Sequence, residues 1–341
     1  MGIVPIELFK DGIFDEGFSI GKPFEGLLWE GTAKGIAMNL AHLYYFKKLV
    51  ELRNYSRAAE ELYIAQPTLS LAVSSLEREL GCSLVKKKRN VLELTEEGEE
   101  FYEAVVYATN ALDNAVCLIK EKVTAQYGTI RVGTVYSIQD PAWSEAIRAY
   151  YRASSGKAQI SWKQGTTESL MRDLKNGTLD AIMAGVLGKG DAEIESIPAF
   201  AQGAVAVVSR DHDLASKGSI SLDDLEGYPV ITYRNKRGPF AREVERLFEG
   251  RHGLSVQYEY NDEITLASLA SASTKVVAVT CHSWLLDAFH DVVKLPILEA
   301  PQDFHRFYIS YRKKGRLPLA VDEFVGFMKN YDFANVSPRE S

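Results

Sequence analysis

Gln66, Ser70, Ser74 and Arg78 recur at four-residue spacing, with Pro67, Thr68 and Leu71 between them. On a helix that spacing puts amide, hydroxyl and guanidinium groups on one side, the groups that hydrogen-bond to base edges and phosphate oxygens. Eight residues further on, Lys86, Lys87, Lys88 and Arg89 form four consecutive cations. Such a run neutralises phosphates without reading sequence, although it can also be a solvated turn. Catalytic patterns are missing: the chain has no GxSxG elbow, P-loop, HExxH or dinucleotide fingerprint. Its six histidines are scattered, and Cys82, Cys117 and Cys281 form neither a CxxC pair nor a metal-ligand spacing. No enzyme activity, cofactor or metal is expected.

The elements that would hold those groups can be read from periodicity. Leu40, Leu43, Phe46, Leu49 and Val50 predict an amphipathic helix over 39–52. Ser56 reads as the cap of a short second helix, Arg57 to Leu62. A third opens at Gln66-Pro67, with Leu69, Val73, Leu76 and Leu80 as its apolar stripe. Two helices joined by a short turn, the second longer, outline a helix-turn-helix, though a three-helix packing unit with a polar face fits the periodicity equally. Gly81 closes the third helix, and residues 85–94 predict a β-hairpin wing with a basic tip. Thr95 would cap a long helix from Glu96 to about Thr124. There Phe101, Val105, Ala108, Leu112, Ala115 and Ile119 alternate spacings of four and three, which is a pairing seam, unless that face packs on its own domain.

The net charge of −7 argues against nucleic acid only as a sum. Residues 38–94 carry nine basic and six acidic side chains, a local charge of +3. A length of 341 residues implies at least two cores. No apolar run approaches the ~20 residues that span a bilayer, and no secretory signal pattern opens the chain, so a cytoplasmic, nucleoid-associated protein is expected. Residues 1–37 are acidic and punctuated by Gly, which predicts a leader with little stable structure, an appendage or an early start.

The N-terminal module resembles the LysR-type transcriptional regulator family. The resemblance rests on Met38-Asn39-Leu40, Tyr45-Phe46, Ser56 to Leu62, Gln66-Pro67-Thr68-Leu69-Ser70, Leu76-Glu77, Glu79-Leu80-Gly81 and Leu94-Thr95-Glu96-Glu97-Gly98. Ala65, Leu71 and Ser74 depart from its usual residues. The resemblance implies a winged helix-turn-helix at 38–95, a linker and dimerisation helix at 96–127, and an α/β effector-binding domain of periplasmic-binding-protein-like form at 128–341. Gln66, Pro67, Ser70 and the wing would contact DNA, and Ser56 a phosphate.

From Gly128 onward β-branched runs at 129–135, 159–163, 181–184, 204–209, 230–233, 255–260 and 276–280 alternate with helical patterns near 142–153, 167–176, 239–250, 263–272 and 317–330. This alternation predicts βαβ units with mainly parallel sheets. Leu174 to Asp180 and Ala267 to Thr280 carry the family resemblance here. It implies two subdomains around a cleft, 128–200 with 295–341 and 201–294. Strand ends then bring together Thr134, Tyr136, Ser137, Thr166, Thr167, Thr232, Arg234, Asp262 and Thr265, hydroxyls and an Arg suited to a small carboxylate. The reading is a sequence-specific regulator that binds promoter DNA as a homodimer or homotetramer and answers to a small effector, with RNA polymerase as a further partner and no membrane association. The alternative is a cytosolic ligand-binding or assembly protein that does not bind DNA.

Overall fold

The computed structural model describes residues 38–333 except 89–90, 125–127, 139, 156, 158, 186–190, 235–237, 261 and 314–316. The acidic leader, Arg89 and part of the linker's end lie outside the described residues. Helices α1 (Leu40–Leu52), α2 (Tyr55–Glu61) and α3 (Gln66–Leu80) are followed by a hairpin of β1 (Val85–Lys88) and β2 (Val91–Leu94) and by α4 (Glu96–Thr124). Phe46, Leu49, Ala58, Leu69, Val73 and Leu76 are buried apolar positions of this module, with the two small residues Ala58 and Ala59 letting α2 approach its neighbours.

The remaining chain builds two mixed five-stranded sheets. The first takes β3 (Thr129–Thr134), β4 (Gln159–Gln164), β5 (Ala181–Ala184), β6 (Ile194–Gln202) and β12 (His305–Arg312) in the order β4-β3-β5-β12-β6. The second takes β7 (Ala204–Ser209), β8 (Pro229–Tyr233), β9 (Ser255–Tyr260), β10 (Val277–Cys281) and β11 (Val292–Pro296) in the order β11-β7-β10-β8-β9. Helices α5 (Pro141–Ala153), α6 (Thr167–Lys175), α7 (Pro239–Leu247), α8 (Glu263–Ser271) and α9 (Leu319–Lys329) cover their faces. Strand β7 shows why both faces must be covered: Ala204, Ala206 and Val208 enter one apolar cluster, Val205 and Val207 another.

Three predicted features change. The sheets are not mainly parallel: four pairings are parallel and four antiparallel. The antiparallel ones involve the predicted strands β5, β7 and β10 together with three strands not anticipated from the sequence, β6, β11 and β12. Ser56 is not the cap of α2. Asn54 is, its Oδ1 accepting the Arg57 N–H at 3.0 Å, and Ser56 stands exposed inside the first turn.

Candidate DNA interface and effector cleft

Gln66, Pro67, Thr68, Leu71, Ser74 and Arg78 lie exposed along α3, and Ser70 is half-buried beside them. The opposite side of α3 holds Leu69, Ala72, Val73 and Leu76 in the core. The predicted polar face is therefore one continuous surface, with Leu71, 70% exposed, as an apolar member. A methyl-bearing side chain there can touch a thymine methyl group. Ala65, the residue before Gln66, makes no side-chain cap; the Thr68 and Leu69 N–H groups both close on its carbonyl, at 3.0 and 3.3 Å, and Pro67 has no N–H to satisfy.

The wing is fastened to α3 by Glu77 and to α4 by Thr95, the predicted cap of that helix. The Glu77 carboxylate accepts the N–H groups of Leu84 at 2.9 Å and Val85 at 3.3 Å. Thr95 caps α4 by accepting the Gly98 N–H at 2.9 Å, and its hydroxyl donates to the Ser83 carbonyl at 2.6 Å. Lys86 pairs with Glu93 and Lys87 with Leu92 across the hairpin, and both lysines are exposed. Lys88 ends β1 opposite Val91.

Along α4 the predicted seam divides. Phe101 packs on Phe46 with ring centroids 5.6 Å apart, and Val105 is buried in the chain's own core. Ala108, Leu112, Ala115 and Ile119 are exposed, joined by Val116 and Val123. Further along α4 the buried positions Thr109 and Asn110 are polar. Lys47 of α1 donates to Asn110 Oδ1 at 2.8 Å and to Thr109 at 3.2 Å. Asn110 Nδ2 donates to the Asn176 carbonyl and to Thr178, each at 3.0 Å. Burial lowers the Lys47 ammonium from its ordinary value. Tyr44 of α1 donates to Asp113 at 2.7 Å, and that carboxylate helps push its hydroxyl up to about 12.

A cleft of about 480 Å³ opens between the two sheets. It is lined where parallel strands end: Val135 and Tyr136 after β3, Gly165 to Thr167 after β4, Tyr233 at the end of β8, Tyr260, Asp262 and Glu263 after β9, and Cys281 at the end of β10. Gly238 to Ala241 and His305 complete it. The first turns of α6, α7 and α8 all contribute, so three helix N-termini face one space of ordinary ligand size.

Of the predicted effector residues the structure brings Tyr136, Thr166, Thr167 and Asp262 to this cleft. It places four elsewhere. Thr134 is buried beneath the surface, and Thr232 is wholly buried with its hydroxyl donating to the Val279 carbonyl at 2.8 Å. Arg234 is exposed outside the lining, and Thr265 is exposed with its hydroxyl on Asp262 at 3.1 Å. Ser137 lies in a turn after β3, and its side chain is outside the described residues. Thr166 and Asp262 also cap α6 and α8 by accepting N–H groups from Ser169 and Thr265. Lining residues not anticipated include Tyr233, Phe240, Tyr260, Glu263, Cys281 and His305. Their aromatic members make the walls apolar. Glu263 is fully buried, and burial pushes its carboxyl upward; burial also drives the Tyr233 hydroxyl and the Cys281 thiol well above their ordinary values. His305 Nδ1 lies 2.7 Å from Glu243. Among the described residues no group of three or more His, Cys, Asp or Glu is placed to hold a metal ion, and no helix is long and apolar enough to cross a membrane.

Known families match these two halves separately. Residues 40–99 match the model of the bacterial regulatory helix-turn-helix protein, lysR family, and residues 125–332 match the LysR substrate binding domain. The chain belongs to the LysR family. It is 36% identical over 223 residues to the HTH-type transcriptional regulator CatR of Pseudomonas putida, covering 64% of this chain and 74% of that protein. It is 28% identical over 281 residues to the HTH-type transcriptional regulator BenM of Acinetobacter baylyi, covering 81% and 90%. Among solved structures, full-length CbnR complexed with its target DNA superposes with a TM-score of 0.64 at 20% identity, over 86% of this chain and 99% of that one. A full-length OxyR variant from Pseudomonas aeruginosa gives 0.62 at 23% identity, over 89% and 99%. At these identities the likeness concerns the fold. This LysR-family chain thus combines a winged helix-turn-helix, a long linker helix and a two-sheet α/β effector-binding domain.

Proposed function

We propose that this LysR-family regulator reads promoter DNA through the exposed face of α3, with Gln66, Ser70, Ser74 and Arg78 at base edges and phosphates. Ser56, Pro67, Thr68 and Leu71 flank that contact, and the wing residues Lys86, Lys87, Lys88 and Arg89 lie along the backbone. The observation that carries this reading is the continuous exposed polar face of α3 beside a basic hairpin, within a family-model match over 40–99. Two copies paired through Ala108, Leu112, Ala115 and Ile119 would present two recognition helices to successive major-groove faces. The cleft between the sheets receives a small effector and alters how those helices are spaced. Contact with RNA polymerase and a cytoplasmic, nucleoid-associated location belong to the same proposal, as do domain limits at residues 38, 96 and 128. The absence of any catalytic motif and the regulator names of its relatives favour this reading over an enzyme.

Fluorescence anisotropy of the full chain on the DNA upstream of its own coding region, at several salt concentrations, tests it. Replacing Lys86 and Lys87 by Ala is expected to weaken binding and to lower the salt slope by about 3.6 for a bound pair of copies, since four phosphate contacts are lost and each removes roughly 0.9. Absence of salt-sensitive binding to any duplex refutes the regulator reading.

A further inference from the structure

The part of α3 that would stand over base edges carries no charge. Gln66, Pro67, Thr68, Leu71 and Ser74 are exposed and Ser70 is half-buried. The helix has its first cation at Arg78, in the last turn, about 18 Å beyond Gln66. Within that uncharged stretch Leu71 follows Pro67 by four residues and Thr68 by three. Residues so spaced are neighbours on a helix surface, so the proline ring, the threonine methyl and the leucine side chain form one apolar patch. The fold makes no use of it. Leu69, Ala72, Val73 and Leu76 supply the core from the other side of the helix, while Leu71 stays 70% exposed. The recognition helix therefore presents an apolar island inside a polar face, and the cations of the module are concentrated on the hairpin at Lys86, Lys87 and Lys88.

The island is continuous with the surface assigned above to DNA, and that position selects its partner. Hydrogen-bond donors and acceptors mark the base edges of the major groove, and the apolar feature that stands out among them is the C5-methyl group of thymine. We propose that Leu71, with Pro67 and Thr68 beside it, recognises thymine by its methyl group, so that each half-site presents a thymine to the middle of the α3 face. Gln66, at the start of the same face, has the amide that pairs with adenine. Sequence choice then rests on an apolar contact and an amide, whereas affinity rests on the lysines of the wing, whose phosphate contacts carry no sequence information. A methyl contact displaces no counterions, so the salt dependence of binding is independent of it. This inference rests on the DNA-binding reading above and names the base that the surface selects.

The test uses the full chain and a duplex that it enriches from a random pool, with affinity read by fluorescence anisotropy at several salt concentrations. Deoxyuridine, which differs from thymidine only by the missing C5-methyl group, replaces each thymine of that duplex in turn. At one thymine of each half-site the exchange is expected to weaken binding about fourfold, and about fifteenfold when made in both, the worth of one buried methyl group per contact. Leu71→Ala is expected to lose about tenfold or more on the thymine duplex. It should keep the wild-type salt slope and circular dichroism spectrum, and at those same positions it should no longer distinguish deoxyuridine from thymine. Deoxyuridine tolerated at every thymine by the unaltered chain overturns the proposal, and so does a Leu71→Ala chain that still senses the missing methyl. The two readings fail separately. Salt-sensitive binding of the wild-type chain without any response to deoxyuridine sinks only the methyl recognition, whereas no salt-sensitive binding to any duplex sinks the regulator with it.

Discussion

Gly98 sits where the wing, the cap of α4 and the end of α3 meet, and a methyl group there has no room. A Cβ at this position would lie 2.0 Å from the Leu84 carbonyl oxygen and 2.9 Å from its carbon, so the backbones must part by at least 1 Å to reach the 3.0 Å that real contacts respect. Leu84 cannot yield easily. Its side chain is fully buried, its N–H is held by Glu77 at 2.9 Å and its carbonyl accepts the Thr95 N–H at 3.1 Å. Overpacking against such a site costs roughly 1–3 kcal/mol, and losing one of those bonds adds about 1 kcal/mol. For Gly98→Ala we expect about 3 kcal/mol of local destabilisation, or about a hundredfold faster hydrogen exchange over residues 83–95. DNA affinity is expected to fall at least tenfold because the wing lysines move. Gly326 provides the control. It lies inside α9 with nothing within 4 Å of its would-be Cβ, so Gly326→Ala is expected to stabilise by about 0.5–1 kcal/mol through helix propensity. Wild-type exchange and affinity in Gly98→Ala would refute the packing argument.

Leu112→Asp with Ile119→Asp places charges on the exposed half of the linker seam, where Ile119 is 61% exposed. Sedimentation is expected to show smaller assemblies with an unchanged fold, and unchanged assembly would remove the seam from the interface. Asn110→Leu strips partners from Lys47, Thr178 and the Asn176 carbonyl. A loss of about 2–3 kcal/mol in denaturant unfolding is expected, because unsatisfied buried groups each cost roughly 1–3 kcal/mol. The Glu263 carboxyl is displaced upward in the folded chain, so the native state holds more protons than the unfolded one above the ordinary carboxylate range. Stability contributed by this group is full below that range and is lost as pH rises towards its folded value. Glu263→Gln should flatten that fall, and an unchanged pH profile of unfolding would contradict it.

The DNA-binding half was legible because its signals are local. Four-residue spacing set the α3 face, and the basic run with its alternating neighbours set the hairpin. The effector half was less so. Strand β6 contains Pro198 and β11 ends in Pro296; proline marks a run against strand, yet both are edge strands, where a missing N–H is tolerated. Alternation along a strand also means that an error of one residue exchanges faces. The pattern points to Thr232 and Arg234 at the end of β8, whereas Tyr233 between them enters the cleft. Nothing in the pattern distinguishes Glu263 from an ordinary acidic residue in a first turn, since only the fold decides which first turns are buried. For the same reason the seam on α4 could not reveal that Phe101 and Val105 belong to their own module's core.

Helix α6 runs from the cleft to the linker helix. Its first turn, Thr166 and Thr167, lines the cleft, and the residues just beyond its last turn, Asn176 and Thr178, hold Asn110 of the linker. Nine helical residues, about 13 Å of rod, separate the two ends. Leu170 and Leu174 fix that rod in the core of the first sheet, both with no exposure. Asn110 in turn anchors Lys47, on the helix that packs against α3. The linker is held a second time by Asn114, which accepts from Arg131 at 2.8 Å while Arg131 grips the buried Asp180 at 2.6 Å. A rigid helix between two polar joints transmits displacement better than it absorbs it, because close-packed cores deform little. Substitutions at Thr167 and at Asn110 therefore act on opposite ends of one lever, and a double-mutant cycle on DNA affinity should find them non-additive although no hydrogen bond joins the two side chains.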